Sequence, residues 1–449
     1  MTVEILTFGC RLNTYESEVI RSLAAEQSDT IVVNTCAVTA EAERQCRKAI
    51  ARAHRDRPGA RIVATGCAVQ LDPGAWAALP GVDRVLGNTE KLLPESWRPG
   101  APAQVSDIMA VRRDAPHLVA GFDGRARAFV EIQQGCDHRC TFCIIWNARG
   151  PSRSVPLGGI LQQVRTLVTA GYNEVVLTGV DISSYGSDGG PALGAMVRRL
   201  LALVPELPRL RLSSLDPAAI DPGLWDLIGH EPRLMPHLHL SIQAGSDLVL
   251  KRMRRRHSRA GALAVIDRAR MERPGIAIGA DLIAGFPTET EALFQETLAF
   301  IDEAAIPYLH VFPYSERPGT PAARMPGVPV AERRSRAARL RAASITHAEA
   351  LHRALIGQHV QVVAERGGGG HTEHFTPIRL SAAHRPGVLL SVRVAAADAT
   401  GLHAVAPDAA MAEGGSGLGN HDGIGGPVDR LDRDPNTTSV ETAVAILGS

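Results

Sequence analysis

Three times within the first 67 residues, a short run of β-branched and small apolar residues stops at a cysteine. The runs cover residues 3–9, 30–35 and 60–66, and the cysteines are Cys10, Cys36 and Cys67. Helical periodicity fills the gaps at 13–26 and 40–55, a further helical stretch begins near Asp72, and a fourth strand is predicted at 82–87. Short buried strands separated by helices dictate a parallel α/β sheet, because parallel neighbours need a crossover between them. In such sheets ligands gather outside the carboxyl ends of the strands. Three thiols remote in sequence are therefore expected to meet at one sheet edge. The helices that follow would aim their N-terminal amides at the same place, which suits thiolates and an anionic metal cluster. One cysteine at a strand end is ordinary core packing. Three at equivalent places in successive units read as ligands. Cys46 lies inside the 40–55 helix, away from any strand end, and reads as a packing thiol.

A second set of thiols is local. Cys136, Cys140 and Cys143 follow one another with C-x3-C-x2-C spacing. Thiolates this close can converge on one soft metal centre. A closed structural zinc site almost always takes four ligands, so three would need a partner, for which His138 is available. Three buried thiols without a metal are the other plain alternative. An iron–sulfur cubane held by three cysteines keeps one iron open to a further ligand, and the spacing favours this arrangement.

The 449 residues suffice for two or three domains, and 48 basic against 47 acidic side chains give a net charge of +1. Any surface for nucleic acid must then be local. No apolar run reaches the roughly 18 residues of a membrane span, and the first residues show no secretory leader. Seven cysteines in such a chain suggest a reducing, cytoplasmic setting and metal or redox chemistry.

Residues 94–123, rich in Pro, Ala and Arg, read as a linker between the first domain (1–93) and a second α/β run at 124–330. Strands are predicted there at 129–133, 174–179, 210–214, 237–242, 276–283 and 308–313. Helices are predicted at 158–170, 194–204, 222–229, 247–255, 261–272 and 289–304. Six β/α units suggest a partial barrel, with the C-x3-C-x2-C loop after its first strand, at the carboxyl face. A basic amphipathic helix is expected at 331–356 and a small β domain at 357–406, with turns at Gly367–Gly370. Residues 407–449 have few large apolar side chains and are expected to be disordered. His371 and His374 read as surface or loop residues.

The chain resembles the methylthiotransferases of the radical S-adenosylmethionine (SAM) superfamily. The resemblance rests on Phe8-Gly9-Cys10-Arg11-Leu12-Asn13, Val33-Asn34-Thr35-Cys36-Ala37-Val38-Thr39, Thr65-Gly66-Cys67-Ala68 and the Cys136/Cys140/Cys143 motif. It extends through Leu177–Asp181, Leu240–Ser246, Asp281–Thr290 and His310–Ser315. It implies a doubly wound N-terminal α/β domain, a (β/α)6 partial barrel and a C-terminal β-barrel similar to the RNA-binding TRAM domain. It also implies two 4Fe–4S clusters, an auxiliary one on Cys10, Cys36 and Cys67 and a SAM-binding one on Cys136, Cys140 and Cys143. SAM would lie near Phe142, Gly179, Asp181, Ser241, Gln243 and Arg252, with Gly285 and Phe286 beside the adenine. One departure stands out: Trp146 occupies a position where many family members carry proline.

The implied chemistry joins a methylthio group to an unreactive carbon. One SAM methylates a sulfur associated with the auxiliary cluster, and a second supplies the radical that removes hydrogen. An electron donor such as flavodoxin or ferredoxin is required. Gly-Cys-Arg-Leu-Asn, Asn-Thr-Cys-Ala-Val-Thr, His-Val-Phe-Pro-Tyr-Ser and Glu316–Met325 look most like the branch acting on threonylcarbamoyladenosine in tRNA. The other branches act on isopentenyl-type adenosine in tRNA or on an aspartate of a ribosomal protein. The substrate carboxylate calls for an arginine that the sequence leaves unidentified. Basic stretches at 251–257 and at Arg333, Arg334 and Arg336 are candidate phosphate contacts. The rival class is a non-enzymatic zinc module that binds RNA.

Overall fold

The protein is described by a computed structural model covering residues 3–113, 115–122 and 124–405. The tail expected to be disordered lies outside these residues. Its first unit is a four-stranded parallel sheet of Glu4–Thr7, Thr30–Thr35, Arg61–Gly66 and Arg84–Leu86, laid out in chain order. Helices cover both faces. Ile20 and Ala24 pack with Val32 and Val63 on one face; Cys46 and Ile50 pack with Ile31, Val33, Ile62 and Ala64 on the other. The near-continuous apolar runs seen in sequence are what burial on both faces demands.

Six further parallel strands form the open barrel: Ala128–Gln134, Glu174–Gly179, Arg209–Leu212, His237–Gln243, Ala277–Ala284 and Tyr308–Pro313. The ladders divide between the third and fourth strands, where the parallel bridges Leu210–Leu234 and Leu215–Leu240 carry the curve across. An unforeseen two-residue strand, Arg153–Ser154, lies antiparallel on the first barrel strand.

The helix Arg11–Leu23 is common to both units. Tyr15 and Val19 belong to the barrel core, while Ile20 faces the N-terminal sheet. This double burial sets the cysteine edge of the sheet against the carboxyl face of the barrel. The segment expected to act as a linker is wrapped against the body and buries Trp97, Ile108, Val119 and Phe122. Its apolar residues lie too far apart to show a period.

The helix Val330–Ala354 lies against the last barrel strand and leads into a closed five-stranded barrel. Two of its strands, Gly369–Thr372 and Gly401–Ala404, were not foreseen. The first contains glycines that read as a turn. The ring closes through parallel pairing of Pro377–Arg379 with Gly401–Ala404. Among the described residues no helix is long and apolar enough to cross a membrane.

Candidate active site

All six triad cysteines open onto one cavity of about 420 Å³ between the N-terminal sheet and the barrel. Cys10 caps the helix Arg11–Leu23, Cys36 ends the second strand, and Cys67 begins the short helix Cys67–Leu71. Gly9 has a positive φ of 96°, and a Cβ there would stand 2.7 Å from both Cβ and Sγ of Cys36. Glycine before Cys10 thus lets two ligands approach. Burial, opposed by Arg149, raises the Cys10 thiol pKa; burial with the neighbouring Cys67 and Cys10 raises that of Cys36 further. Cys46 lies within the N-terminal core and outside the cavity lining.

The second triad sits on a loop pinned from several sides. Cys136 donates its N–H to Gly150 O at 3.0 Å, and Thr141 donates to Met253 O and, through its hydroxyl, to Arg252 O. Burial pushes the Cys136 thiol up to about 12, with Asp181 adding to the effect, and the Cys143 thiol up to about 11. The Ile145 amide donates to Cys143 Sγ at 3.4 Å. Trp146 sits in the first turn of the helix Ile145–Arg149, where proline is also tolerated, and its ring stacks with Arg139 at 4.1 Å. The departure therefore leaves the local fold intact. Each triad offers three soft donors, which fits a 4Fe–4S cluster with one open iron and leaves a closed zinc site short of a ligand. His138 is not gathered with the three thiols as a ligand set, and its Nε2 lies 3.0 Å from Asp181 Oδ2.

The short helix also delivers Arg149, a residue sequence reasoning missed. Its Nε donates to Cys67 Sγ at 3.1 Å, and its Nη2 donates to Asn13 Oδ1 at 2.6 Å and Glu16 Oε2 at 3.0 Å. Lys91 Nζ donates to the same Glu16 oxygen at 2.7 Å. Burial opposes the Glu16 carboxylate, but Arg149 and Lys91 prevail and hold its pKa at about 2. This buried cation pair stands beside the first triad, where an anionic cluster would need charge compensation. No local pattern announces the network, because Asn13 and Glu16, Cys67, Lys91 and Arg149 come from four separate segments.

Of the residues expected around SAM, Phe142, Gly179, Asp181, Ser241 and Gln243 line the cavity. Gln133 Oε1 accepts from the amides of Val180 and Asp181 and so fixes the Gly179 turn. Arg252 does not line the cavity. Its guanidinium turns to Thr288 O at 3.1 Å, and Arg255 lines the cavity, with Nη1 3.7 Å from Cys140 Sγ and Nη2 donating to Ser241 O at 2.6 Å. The left-handed Arg254 that ends the Asp247–Met253 helix redirects the arginines after it.

Gly285 and Phe286 also lie outside the lining. A Cβ on Gly285 would meet Arg333 Cγ at 2.6 Å, so the bare backbone accommodates an arginine. Phe286 is fully buried against Tyr314, and Phe142 packs onto the same cluster. Further lining residues were not foreseen as a group: His239, Asp281 and His310. Asp281 Oδ1 lies 3.0 Å from His239 Nε2 and 3.3 Å from His310 Nδ1. Burial opposes its charge, yet the two imidazoles lower its pKa strongly.

The basic stretches are divided: Lys251, Arg254, Arg256 and Arg334 are exposed, and others turn inward. Arg336 is only 2% exposed and pairs with Glu289 at 2.8 Å. Arg333 donates to Val328 O and Tyr314 O. Arg333 is half-buried and Arg336 buried, whereas Arg334 remains exposed. In the other stretch, Arg255, Arg256 and His257 gather around Asp216. His371, expected on a surface, bonds to Glu365 at 2.8 Å and stacks on Phe375, while His374 is half-buried.

Residues 130–301 match the Radical SAM superfamily, and residues 2–87 match the uncharacterized protein family UPF0004. The chain is 50% identical over 382 residues to the threonylcarbamoyladenosine tRNA methylthiotransferase MtaB of Rickettsia prowazekii, covering 84% of this chain and 91% of that protein. It is 39% identical to the Bacillus subtilis protein of the same name over 72% of this chain and 76% of that one. A tRNA-2-methylthio-N(6)-dimethylallyladenosine synthase of Novosphingobium aromaticivorans is 34% identical over 82% of this chain and 87% of its own length.

Proposed function

Because the chain belongs to the radical SAM methylthiotransferase family, we propose that it converts N6-threonylcarbamoyladenosine beside the tRNA anticodon to its 2-methylthio derivative. The observation that carries this reading is the opening of both cysteine triads onto one cavity. A transfer that needs two iron–sulfur centres and one substrate requires that convergence. Half-identity to a relative named for this substrate supports the branch.

On this reading Cys10, Cys36 and Cys67 hold the auxiliary 4Fe–4S cluster, and Cys136, Cys140 and Cys143 hold the one that binds SAM. Together these groups supply one-electron cleavage of SAM and a sulfur that accepts a methyl group. The chain's own residues position and shield. Arg149 gives positive charge beside Cys67, and Arg255 does so beside Cys140. Ser241, Gln243 and Asp181 offer polar handles for the amino, carboxyl and hydroxyl groups of SAM, while Phe142 and Ile145 close the cavity with apolar surface. Gln243 is held at a positive φ of 74°, a strained backbone placed at the site.

For tRNA, the available phosphate contacts shift to the terminal barrel. Arg366, Arg379, Arg385 and Arg393 are exposed there, with Arg334 on the preceding helix. A small cytoplasmic reductant such as flavodoxin or ferredoxin supplies the electrons. One assay tests the reading. Reconstituted enzyme is offered tRNA bearing threonylcarbamoyladenosine, tRNA bearing isopentenyladenosine, or the ribosomal protein, and products are read by mass spectrometry. Turnover of the first alone is expected. Preference for another substrate overturns the branch, and absence of SAM cleavage overturns the chemistry.

A further inference from the structure

Three arginines line the cavity, and two are committed. Arg149 is saturated by Glu16, Asn13, Gln134 and Cys67. Arg255 is taken by Ser241 O, Asp216 and Cys140. Arg11 differs. Among the described residues its guanidinium has no hydrogen-bonded or ion-paired partner; its contact is with the face of Phe375, 5.9 Å away. Arg127 and Arg211 lie over the same ring at 5.1 and 4.9 Å, but each is paired with Glu174. Asp281, an acid in the same lining, is shared by His239 and His310. The histidines are therefore engaged too, and His138 faces Asp181. Five donors on a half-buried cation thus remain unspent, at the edge of a largely apolar cavity. Leaving them unpaired in a filled site would be costly.

We propose that Arg11 receives the carboxylate of the threonylcarbamoyl group and so selects an acid-bearing adenosine over one with an uncharged alkenyl substituent. This rests on the substrate reading above. A guanidinium matches a carboxylate with two parallel hydrogen bonds, and an alkenyl group would leave the fork empty in a closed site. Since Arg11 directly follows Cys10 and both line the cavity, the acid is held on the side of the first triad.

The test uses the reconstituted full-length enzyme and two tRNA substrates, one bearing threonylcarbamoyladenosine and one in which its carboxylate is converted to the neutral amide. The readout is the ratio of kcat/KM values, with iron and sulfide content measured for each variant. Wild type is expected to favour the acid by about 10- to 100-fold, the span of one charge-assisted contact. Arg11→Gln should bring the ratio close to one, and Arg11→Lys should restore part of it as a point charge. An Arg11→Gln enzyme that keeps the wild-type ratio overturns the assignment. So does an equal loss on both substrates, which would mean that Arg11 only offsets cluster charge. Wild type that ignores the threonylcarbamoyl substrate overturns both this inference and the substrate reading. If Arg11→Gln fails to load iron, Arg11→Lys decides: an unchanged ratio refutes the role, and a severalfold fall supports it.

Discussion

Glu16 shows how much a single buried acid can carry. It is fully buried, accepts from both Arg149 and Lys91, and is the anion that lets two cations stand beside the first triad. Glu16→Gln keeps the shape but strands two positive charges. The variant should lose about 3–5 kcal/mol of stability, the usual cost of breaking a buried pair, read from denaturant midpoints of the iron-free chain. The pH dependence follows from the same geometry. The folded pKa, about 2, lies below the roughly 4.3 of an unfolded glutamate. The stabilisation is complete above the unfolded value and is lost as pH falls toward 2. The iron-free chain should therefore weaken between about pH 4.5 and 2, and Glu16→Gln should flatten that slope. An identical slope in the variant would remove Glu16 from this role.

At the scale of elements, two helices have tasks that their composition does not reveal. Ile145–Arg149 is only one turn long, yet it offers an N-terminal amide to Cys143 and sends Arg149 across to Cys67. The Trp146 amide also favours the Cys143 thiolate. Trp146→Pro should therefore fold and load full iron, but its SAM-binding cluster should have a more negative reduction potential, because one N–H donor to sulfur is gone. Potentiometric titration with spectroscopic detection checks the sign. The helix Val330–Ala354 looks basic but keeps Arg336 inside. Arg336→Gln is expected to lower stability by about 3 kcal/mol or more and to leave the salt dependence of tRNA binding unaltered. Arg334→Gln should do the reverse, with little effect on stability and a salt slope reduced by about one unit or less. Salt slopes unchanged from wild type in both variants would show that neither touches phosphate.

For the whole molecule, the terminal barrel is fastened to the radical SAM barrel by buried charge. Glu174 accepts from Arg127, Arg209 and Arg211, and these reach on to Glu365, Gln361 O, Thr372 O and Glu373 O. Phe375 lies under the same guanidinium groups. Deleting residues 357–449 should thus weaken tRNA binding and also lower the melting temperature by several degrees, although every triad cysteine remains. Iron content should persist in the truncated chain. Replacing Cys136, Cys140 and Cys143 together with Ala should remove about half of the iron and all SAM cleavage. Cys46→Ala should keep full loading, as its place in the core requires. Loss of a whole cluster in that variant would make Cys46 a ligand.

The sequence by itself determined which thiols would gather and the order of the main helices and strands of the two α/β units. The strands at 30–35, 174–179 and 308–313 were legible to the residue, because short β-branched runs bounded by turn signals admit little else. The gathering of the cysteines was legible because three thiols at equivalent strand ends share one sheet edge and C-x3-C-x2-C spacing keeps the others in one loop. Only the tertiary structure decided which charged groups face the site. Arg149 and Arg255 point inward, Arg252 and Arg336 are consumed elsewhere, and Arg11 is left over. Gly285 makes room for Arg333. The physical reason is common to all of them. A backbone preference is a property of a few neighbouring residues, whereas the burial and pairing of a charge depend on partners brought from distant segments once the core has formed.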